Sequence, residues 1–400
     1  MKFIILFQIF TTAVVGLFSF LLNIFLARKL SVSDFGVYQF FLTCGALYSL
    51  VQDLGFRTFI FRESTKPSPS VPYNIYEIFT FALGHLFLVT LLPIFLLILI
   101  NQKLLAFSLL YFAFFVWSSW VSSYLKGQKK FYLEGCWHIF FRFSTFIMPV
   151  LFSFFFSLKV QAVFLLFALA GLFSFVLSFF FIPFLNKFLL SFSLFSIYRF
   201  TVPFLLVDVF TMIYFRSDII MLKYFSSYTE IAHYSISYRI FEAFIFLLTP
   251  LIHIFFVYIR EKFFIDKILC KNFLILSLFC AFFIGFFSFF FFYALSEKII
   301  LVFFSQHYLL SINILKILSL GFIFLLPNYI FTQSVIAFGR EKLYILAAAF
   351  SAFFNILLNL YFIPLFGAKG AAFSTLLTEF FLFLFFTLTV KNGQIFKNYC

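Results

Sequence analysis

Three arginines lie inside long apolar runs of this sequence: Arg142, Arg216 and Arg239. A charged side chain at membrane depth costs about 3 kcal/mol on insertion scales, so each arginine needs an ionic partner or a wet cavity. A guanidinium group stays charged at every physiological pH, and its fixed fork of donors matches two phosphate oxygens. The three arginines are therefore candidates to bind a phosphate or pyrophosphate group. The alternative for each of them is an ion pair between helices.

Five carboxylates occur in comparable places, including Asp53 and Glu242, and three of them stand out: Asp208, Asp218 and Glu379. A buried carboxylate without a basic partner can hold a cation or a proton. These residues are candidates for an ion-coupling site, and the sequence gives no basis for choosing among them.

Sequence spacing suggests local partners for other charges. Asp53 and Arg57 are four residues apart, so they share one helix face and favour an ion pair. Arg239 has two candidate partners, Asp218 across a helical hairpin and Glu242 one turn further along its own helix.

Motifs of covalent and metal-dependent chemistry are absent. The sequence contains no GxxxxGK phosphate loop and no HExxH, GxSxG or CxxC motif. Its five histidines are scattered, and its five cysteines show no pairing pattern. We therefore expect no cofactor, no metal site and no enzymatic activity. The energy for any transport would come from an ion gradient, the membrane potential or downhill removal of product.

The composition is that of an integral membrane protein. Hydrophobic residues make up 64% of the 400 residues, charged residues 10%, and phenylalanine alone supplies 80. The mean hydropathy is +1.13. A soluble domain is about half apolar and about a quarter charged. The net charge of +14 comes from basic residues in short loops, which predicts topology-setting charges and no nucleic-acid binding.

Twelve apolar runs are long enough for transmembrane helices, which need roughly 20 mostly apolar residues. Four of the runs contain interior prolines, which suit helices that bend: Pro93, Pro149, Pro250 and Pro327. The predicted fold is an all-α bundle with short loops. The predicted spans are residues 3–27, 36–56, 75–100, 104–125, 136–157, 160–185, 200–222, 231–259, 272–296, 309–331, 343–366 and 368–390.

The loop charges predict the orientation of the chain. With a cytoplasmic N-terminus, seventeen lysines and arginines fall in inside loops and seven in outside loops. Positive residues concentrate on the cytoplasmic side of membrane proteins. Both termini are therefore predicted to be cytoplasmic.

A short motif occurs twice, about half the chain apart. Asp34-Phe35-Gly36-Val37-Tyr38 is echoed by Glu230-Ile231-Ala232-His233-Tyr234, each after one or more serines. With twelve spans, the two copies follow the first and the seventh, so the halves enter the membrane from the same side. This predicts two parallel six-helix repeats, residues 1–195 and 196–400, a known transporter plan.

Three stretches resemble the polysaccharide-export flippases of the multidrug/oligosaccharidyl-lipid/polysaccharide (MOP) superfamily, which includes the O-antigen translocases. The first is similar to the opening hairpin of that family, the second to its seventh and eighth spans, and the third to its last hairpin. They are ARKLSVSDFGVYQFF with QDLGFRTFIFRE (27–63), RSDIIMLKYFSSYTEIAHYSISYRIFE (216–242) and NILLNLYFIPLFGAKGAAFSTLLTE (355–379). The high phenylalanine content and the short total length depart from the family pattern.

The resemblance implies a two-lobed bundle in a bacterial or archaeal cytoplasmic membrane, alternating access to a central cavity. The implied cargo is a polyprenyl-pyrophosphate-linked oligosaccharide, for cell-surface polysaccharide biosynthesis. The lipid bilayer and the polysaccharide polymerase machinery are the associated partners, and such a bundle can work as a monomer.

Two alternatives stay open on the sequence. A multidrug or cation exporter of the same superfamily would favour acidic cavities, whereas the charges at membrane depth here are mixed. A membrane polysaccharide polymerase or glycosyltransferase would need sizeable outer loops, whereas the outer loops here are short.

Overall fold

The computed structural model describes residues 2–65, 74–181, 197–265 and 267–391, which form α-helices without any β-strand. The chain divides into two compact units, residues 1–212 and 213–400. The first unit contains α1 (Lys2–Lys29), α2 (Val32–Asp53), α3 (Phe56–Ser64), α4 (Ile75–Leu99), α5 (Lys103–Gly127), α6 (Phe131–Phe155), α7 (Val160–Phe181) and the first half of α8 (Tyr198–Phe225). The second contains the rest of α8, α9 (Tyr228–Ile265), α10 (Lys267–Phe303), α11 (Leu310–Leu320), α12 (Phe322–Ala337), α13 (Glu341–Phe366) and α14 (Ala368–Lys391).

Each predicted span overlaps one helix or one bent pair of helices, although residues 182–185 of the span 160–185 lie outside the described residues and the span 36–56 runs past the end of α2. Nine helices in the described part of the chain are long and apolar enough to cross a membrane, and the pair α11–α12 makes a tenth. The other two, α2 and α8, have 22 and 28 residues but are more polar. At 1.5 Å per residue, both can still cross a hydrocarbon core of about 30 Å. The predicted all-α integral membrane fold is confirmed.

The bend between α11 and α12 lies at Gly321 and measures 45°. The sequence suggested Pro327 as the bending point of this span, but Pro327 lies inside α12. The Gly321 N–H instead bonds to the Leu318 carbonyl at 2.8 Å, a three-residue spacing that tightens the backbone and ends α11.

The repeated motif begins one helix in each unit. The Asp34 N–H donates to Ser31 Oγ at 3.1 Å at the start of α2. The Glu230 N–H donates to Ser227 Oγ at 3.3 Å at the start of α9. In both copies a serine oxygen satisfies a backbone donor that the first helical turn leaves free. The sequence echo therefore marks the same capping structure twice.

A helix break at Leu54 and Gly55 separates α2 from α3, and the sequence pattern did not predict it. Gly55 has φ +79°, and a Cβ atom there would lie 2.4 Å from the Thr201 carbonyl oxygen. Only glycine combines a left-handed backbone with so close an approach of another chain segment. Beyond the break, Phe56 and Phe59 of α3 are fully buried in the aromatic core of the first unit.

The predicted division into residues 1–195 and 196–400 stays a prediction. The compact units divide 17 residues later, inside α8.

Candidate functional site

Arg142 lies on α6 next to aromatic side chains of α5. Its guanidinium carbon is 5.6 Å from the centre of the Phe115 ring, and the buried Tyr111 is close enough to interact with its charge. Within the described part of the chain, no carboxylate lies at ion-pairing distance from Arg142. This guanidinium group is half-buried, and its charge is available to an anion.

Glu134, which the sequence did not single out, is a buried carboxylate in the first turn of α6. It accepts hydrogen bonds from Gln8 Nε2 and Ser122 Oγ, both at 2.9 Å. Two basic groups lie at its Oε1 atom, Lys126 Nζ at 3.2 Å and His138 Nε2 at 3.5 Å. Little in the sequence indicates this cluster, because its neutral donors, Gln8 and Ser122, are common polar residues far apart in the sequence.

The predicted ion pair between Asp53 and Arg57 is wrong. The backbone N–H of Arg57 bonds to Asp53 Oδ1 at 3.1 Å, but its guanidinium group pairs with Asp208 Oδ1 at 3.4 Å. Asp53 instead accepts a hydrogen bond from the indole N–H of Trp120. Because the break after Asp53 interrupts the helix, a four-residue spacing no longer places the two side chains together.

Asp218 in the second unit is held by neutral donors. It accepts hydrogen bonds from the Tyr234 hydroxyl and from the Ile219 N–H at 2.8 Å. Tyr234 also lies 3.4 Å from Thr375 Oγ1. No lysine or arginine in the described ranges forms an ion pair with Asp218.

Arg239 pairs with Glu242, and the Nη1 and Oε2 atoms are 2.8 Å apart. This is one of the two partners that the sequence suggested, and the Asp218 alternative is not formed. Arg216 is half-buried near Asp218 and Tyr238, without a carboxylate at ion-pairing distance among the described residues.

Glu379 on α14 is buried and also lacks a basic partner within the described residues. It accepts hydrogen bonds from the Tyr214 hydroxyl and from Asn328 Nδ2, the latter at 2.8 Å. The Asn328 amide also donates to the Glu379 carbonyl at 2.9 Å, while its own Oδ1 atom has no donor. Asp218 and Glu379 are therefore two carboxylates whose hydrogen bonds come from neutral groups, and the charge of Arg216 also acts on Asp218.

Two asparagines one turn apart on α13, Asn355 and Asn359, add amide groups to this polar interior. Asn359 Nδ2 donates to Asn355 Oδ1 at 2.8 Å, and Ser217 Oγ lies 3.2 Å from the same oxygen. The Asn359 Oδ1 atom is buried without a hydrogen-bond donor. Carboxylate, amide and hydroxyl oxygens are the ligands that hard cations prefer, so the interior of the second unit has the chemistry to hold a small cation or a proton.

The predicted site residues divide between the two units. Among the predicted residues, Arg142 and Asp208 lie in the first unit, and Arg216, Asp218, Arg239 and Glu379 lie in the second. The first unit offers Arg142, a guanidinium group without a carboxylate partner. The second offers Arg216, which also has no carboxylate at ion-pairing distance among the described residues, and the carboxylates Asp218 and Glu379, whose hydrogen-bond donors are neutral.

No protein-family model matches the sequence, and no curated protein is significantly similar to it. Solved structures share its fold. The structure described as "Lipid II flippase MurJ, inward closed conformation" has a TM-score of 0.77 at 17% identity, covering 97% of this chain and 87% of the other. An inward-facing multidrug resistance MATE family transporter of the MOP superfamily has a TM-score of 0.71 at 12% identity, covering 96% of both chains. The MATE multidrug transporter DinF-BH has a TM-score of 0.63 at 14% identity, covering 99% and 96%. The predicted MOP flippase-like fold is confirmed.

Proposed function

We propose that this chain is a flippase that moves a polyprenyl-pyrophosphate-linked oligosaccharide across the cytoplasmic membrane for cell-surface polysaccharide biosynthesis. One observation carries the proposal: Arg142 is half-buried in an apolar bundle without a carboxylate partner among the described residues. A permanent charge in that setting needs an ionic partner or a wet cavity, and an anionic cargo would be such a partner. A pyrophosphate-linked lipid supplies both the anion and an apolar tail compatible with the bilayer.

The arginines of the second unit have secondary roles in this proposal. Arg216 has no ion pair within the described residues and can contribute a further phosphate contact. Arg239 is already neutralised by Glu242 at 2.8 Å, so its contribution to an anion site is weaker.

We assign ion coupling to Asp218 and Glu379. Both are buried, and neither forms an ion pair among the described residues, so a bound cation or proton can neutralise them. Asp208 stays a weaker candidate because Arg57 already lies 3.4 Å away.

Genetic complementation tests the proposed function. A bacterium that lacks its own O-antigen or exopolysaccharide flippase receives the wild-type chain, Arg142→Ala or the control Arg260→Ala, which removes an exposed arginine at the end of α9. We expect surface glycan with the wild type and the control, and little with Arg142→Ala at equal membrane insertion. Equal surface glycan with Arg142→Ala would contradict the role of this arginine.

Export of a cationic compound is the second candidate function, and the carboxylates Asp218 and Glu379 favour it. Uptake of a lipophilic dye cation into inverted vesicles distinguishes the two candidates. Dye transport that depends on these two acids, together with no surface glycan in the complementation, would replace the flippase by an exporter. Glycan extension inside the cell without export would instead indicate a polymerase or glycosyltransferase.

The proposed setting is a bacterial or archaeal cytoplasmic membrane, with both termini in the cytoplasm. The proposed partners are the lipid-linked glycan, the lipid bilayer and the polysaccharide polymerase machinery that would take up the translocated units. A monomer is sufficient for this activity.

A further inference from the structure

One face of α6 carries three ionisable side chains at four-residue intervals, Glu134, His138 and Arg142. Residues four apart on a helix are neighbours, so the three side chains form one row. Lys126, in the last turn of α5, meets this row at Glu134, with its Nζ atom 3.2 Å from Oε1. His138 lies close enough to interact with the charges of both Lys126 and Arg142. Lys126 and His138 therefore meet at one carboxylate, and Arg142 lies one turn beyond His138 on the same face of α6.

The carboxylate of Glu134 does not depend on the basic groups for its hydrogen bonds. Oε2 accepts from Gln8 on α1, and Oε1 accepts from Ser122 on α5, both at 2.9 Å. Neutral donors thus satisfy both oxygens of this buried group, as a buried polar group requires. The side chains of Lys126 and His138 are 41% and 42% exposed, so they can turn towards a ligand while Glu134 stays hydrogen-bonded.

The charges of this cluster are unbalanced. Glu134 supplies one negative charge, whereas Lys126 and Arg142 supply two positive charges and His138 a third when it is protonated. Arg142 has no carboxylate at ion-pairing distance among the described residues. An oxyanion with several acceptor atoms would complete the hydrogen bonds of these groups, because charge-assisted contacts to phosphate are strong and suit both arginine and lysine.

We propose that a phosphate-bearing anion binds between Lys126, His138 and Arg142, competing with Glu134 for the first two. Lys126 is one residue from the end of α5 and Glu134 is in the first turn of α6, so this end of the site lies at the level of lipid headgroups at one membrane face, and Arg142 lies about 12 Å further along α6. With the predicted orientation this face is cytoplasmic. The inference rests on the proposed function only in naming a lipid pyrophosphate as the source of the anion, since free pyrophosphate has the same chemistry.

Binding to the purified full chain tests the site, with inorganic pyrophosphate in detergent as the first probe. We expect Lys126→Gln to weaken binding about tenfold, because it removes a charge-assisted contact, and His138→Gln to weaken it about threefold, because a neutral imidazole contributes an ordinary hydrogen bond. Glu134→Gln should tighten binding about fivefold, because it removes the competing anion and keeps the acceptor for Ser122. Lys103→Gln at the opposite end of α5 is the control and should leave binding unchanged.

A ligand site predicts that Lys126→Gln weakens pyrophosphate binding and that Glu134→Gln tightens it. A structural ion cluster predicts no change in binding for either variant. If Lys126→Gln and Glu134→Gln both lower the melting temperature and leave pyrophosphate binding unchanged, the cluster only joins helices and the proposal is overturned. The two exposed basic side chains keep this test usable even if Glu134→Gln folds poorly.

Nanodiscs with and without a polyprenyl pyrophosphate identify the source of the anion. Lysine-dependent binding to the loaded discs supports a lipid, whereas binding of soluble pyrophosphate alone overturns the lipid source. If these binding results hold while complementation fails for the wild-type chain, the proposed function fails and the anion site stands.

Discussion

Asp218 and Glu379 owe their stability to hydroxyl, amide and backbone donors. Tyr234 and the Ile219 N–H bond to Asp218, and Tyr214 and Asn328 bond to Glu379. Leaving a buried acceptor without its donor costs about 1–3 kcal/mol, more than the donor contributes as an average hydrogen bond. These tyrosine hydroxyls are therefore structural as well as able to position the carboxylates for a cation.

Removing one such hydroxyl should destabilise the second unit. For Tyr234→Phe we expect a loss of about 1–3 kcal/mol in the free energy of unfolding, seen as a lower melting temperature in detergent. Tyr361→Phe is the matched control, because Tyr361 is exposed and its hydroxyl makes no hydrogen bond that the structure records. An equal melting temperature for Tyr234→Phe and the control would show that the Asp218 contact adds nothing to stability.

The Arg239–Glu242 ion pair should be weak. The two side chains are 22% and 29% exposed and lie three residues apart on α9, so part of their attraction is screened. A double-mutant cycle with Arg239→Ala and Glu242→Ala should give a coupling energy of about 0.5 kcal/mol. A coupling energy of about 3 kcal/mol would mean a desolvated pair. It would remove Arg239 from the candidate anion ligands.

At the residue scale, sequence spacing predicted contacts only where the helix is continuous. The spacing suggested Glu242, three residues away on α9, as one of two partners of Arg239, and this ion pair is present. It failed for Asp53 and Arg57, where a break intervenes and Asp208, 151 residues away, takes the guanidinium group. It missed Glu134, because Gln8 and Ser122 become its donors only through tertiary packing.

Among the structural elements, the break between α2 and α3 is sensitive to substitution. Gly55→Ala should cost about 3 kcal/mol, since it combines a left-handed backbone with a Cβ atom 2.4 Å from the Thr201 carbonyl oxygen. Gly339→Ala is the control, because Gly339 also has a positive φ, +66°, but nothing within 4 Å of an added Cβ. It should cost only about 1 kcal/mol. Equal losses in melting temperature would show that the close approach to α8 is relaxed in the protein.

The sequence predicted the helices well and their breaks poorly. Long apolar runs dictate helices because a lipid environment leaves the backbone no other hydrogen-bond partner. The break at Gly55 depends instead on the close approach of Thr201. The bend at Gly321 depends on a local hydrogen bond to Leu318 that hydropathy does not indicate. Polar side chains also make α3 hard to predict as a separate helix. It carries Arg57, Arg62 and Glu63 among its nine residues, a composition that resembles a loop.

At the scale of the whole molecule, the repeated serine cap and the twelve helical spans made the bundle predictable.

The loop charges lead to a separate prediction, that both termini are cytoplasmic. A C-terminal fusion to a reporter that is active only in the cytoplasm should be active, whereas the same fusion to a periplasmic alkaline phosphatase should not. Phosphatase activity from the C-terminal fusion would reverse the orientation and place the Lys126 site at the outer face.

Reconstituted translocation tests the central claim most directly. Proteoliposomes containing a fluorescent polyprenyl-pyrophosphate oligosaccharide would be prepared with the wild-type chain, Arg142→Ala or Arg260→Ala, and its appearance in the outer leaflet would be followed with a membrane-impermeant quencher. We expect rapid translocation by the wild type and Arg260→Ala, and a rate at least about tenfold lower with Arg142→Ala, the loss of one charge-assisted phosphate contact. Wild-type proteoliposomes that translocate the lipid no faster than protein-free liposomes would contradict the flippase assignment.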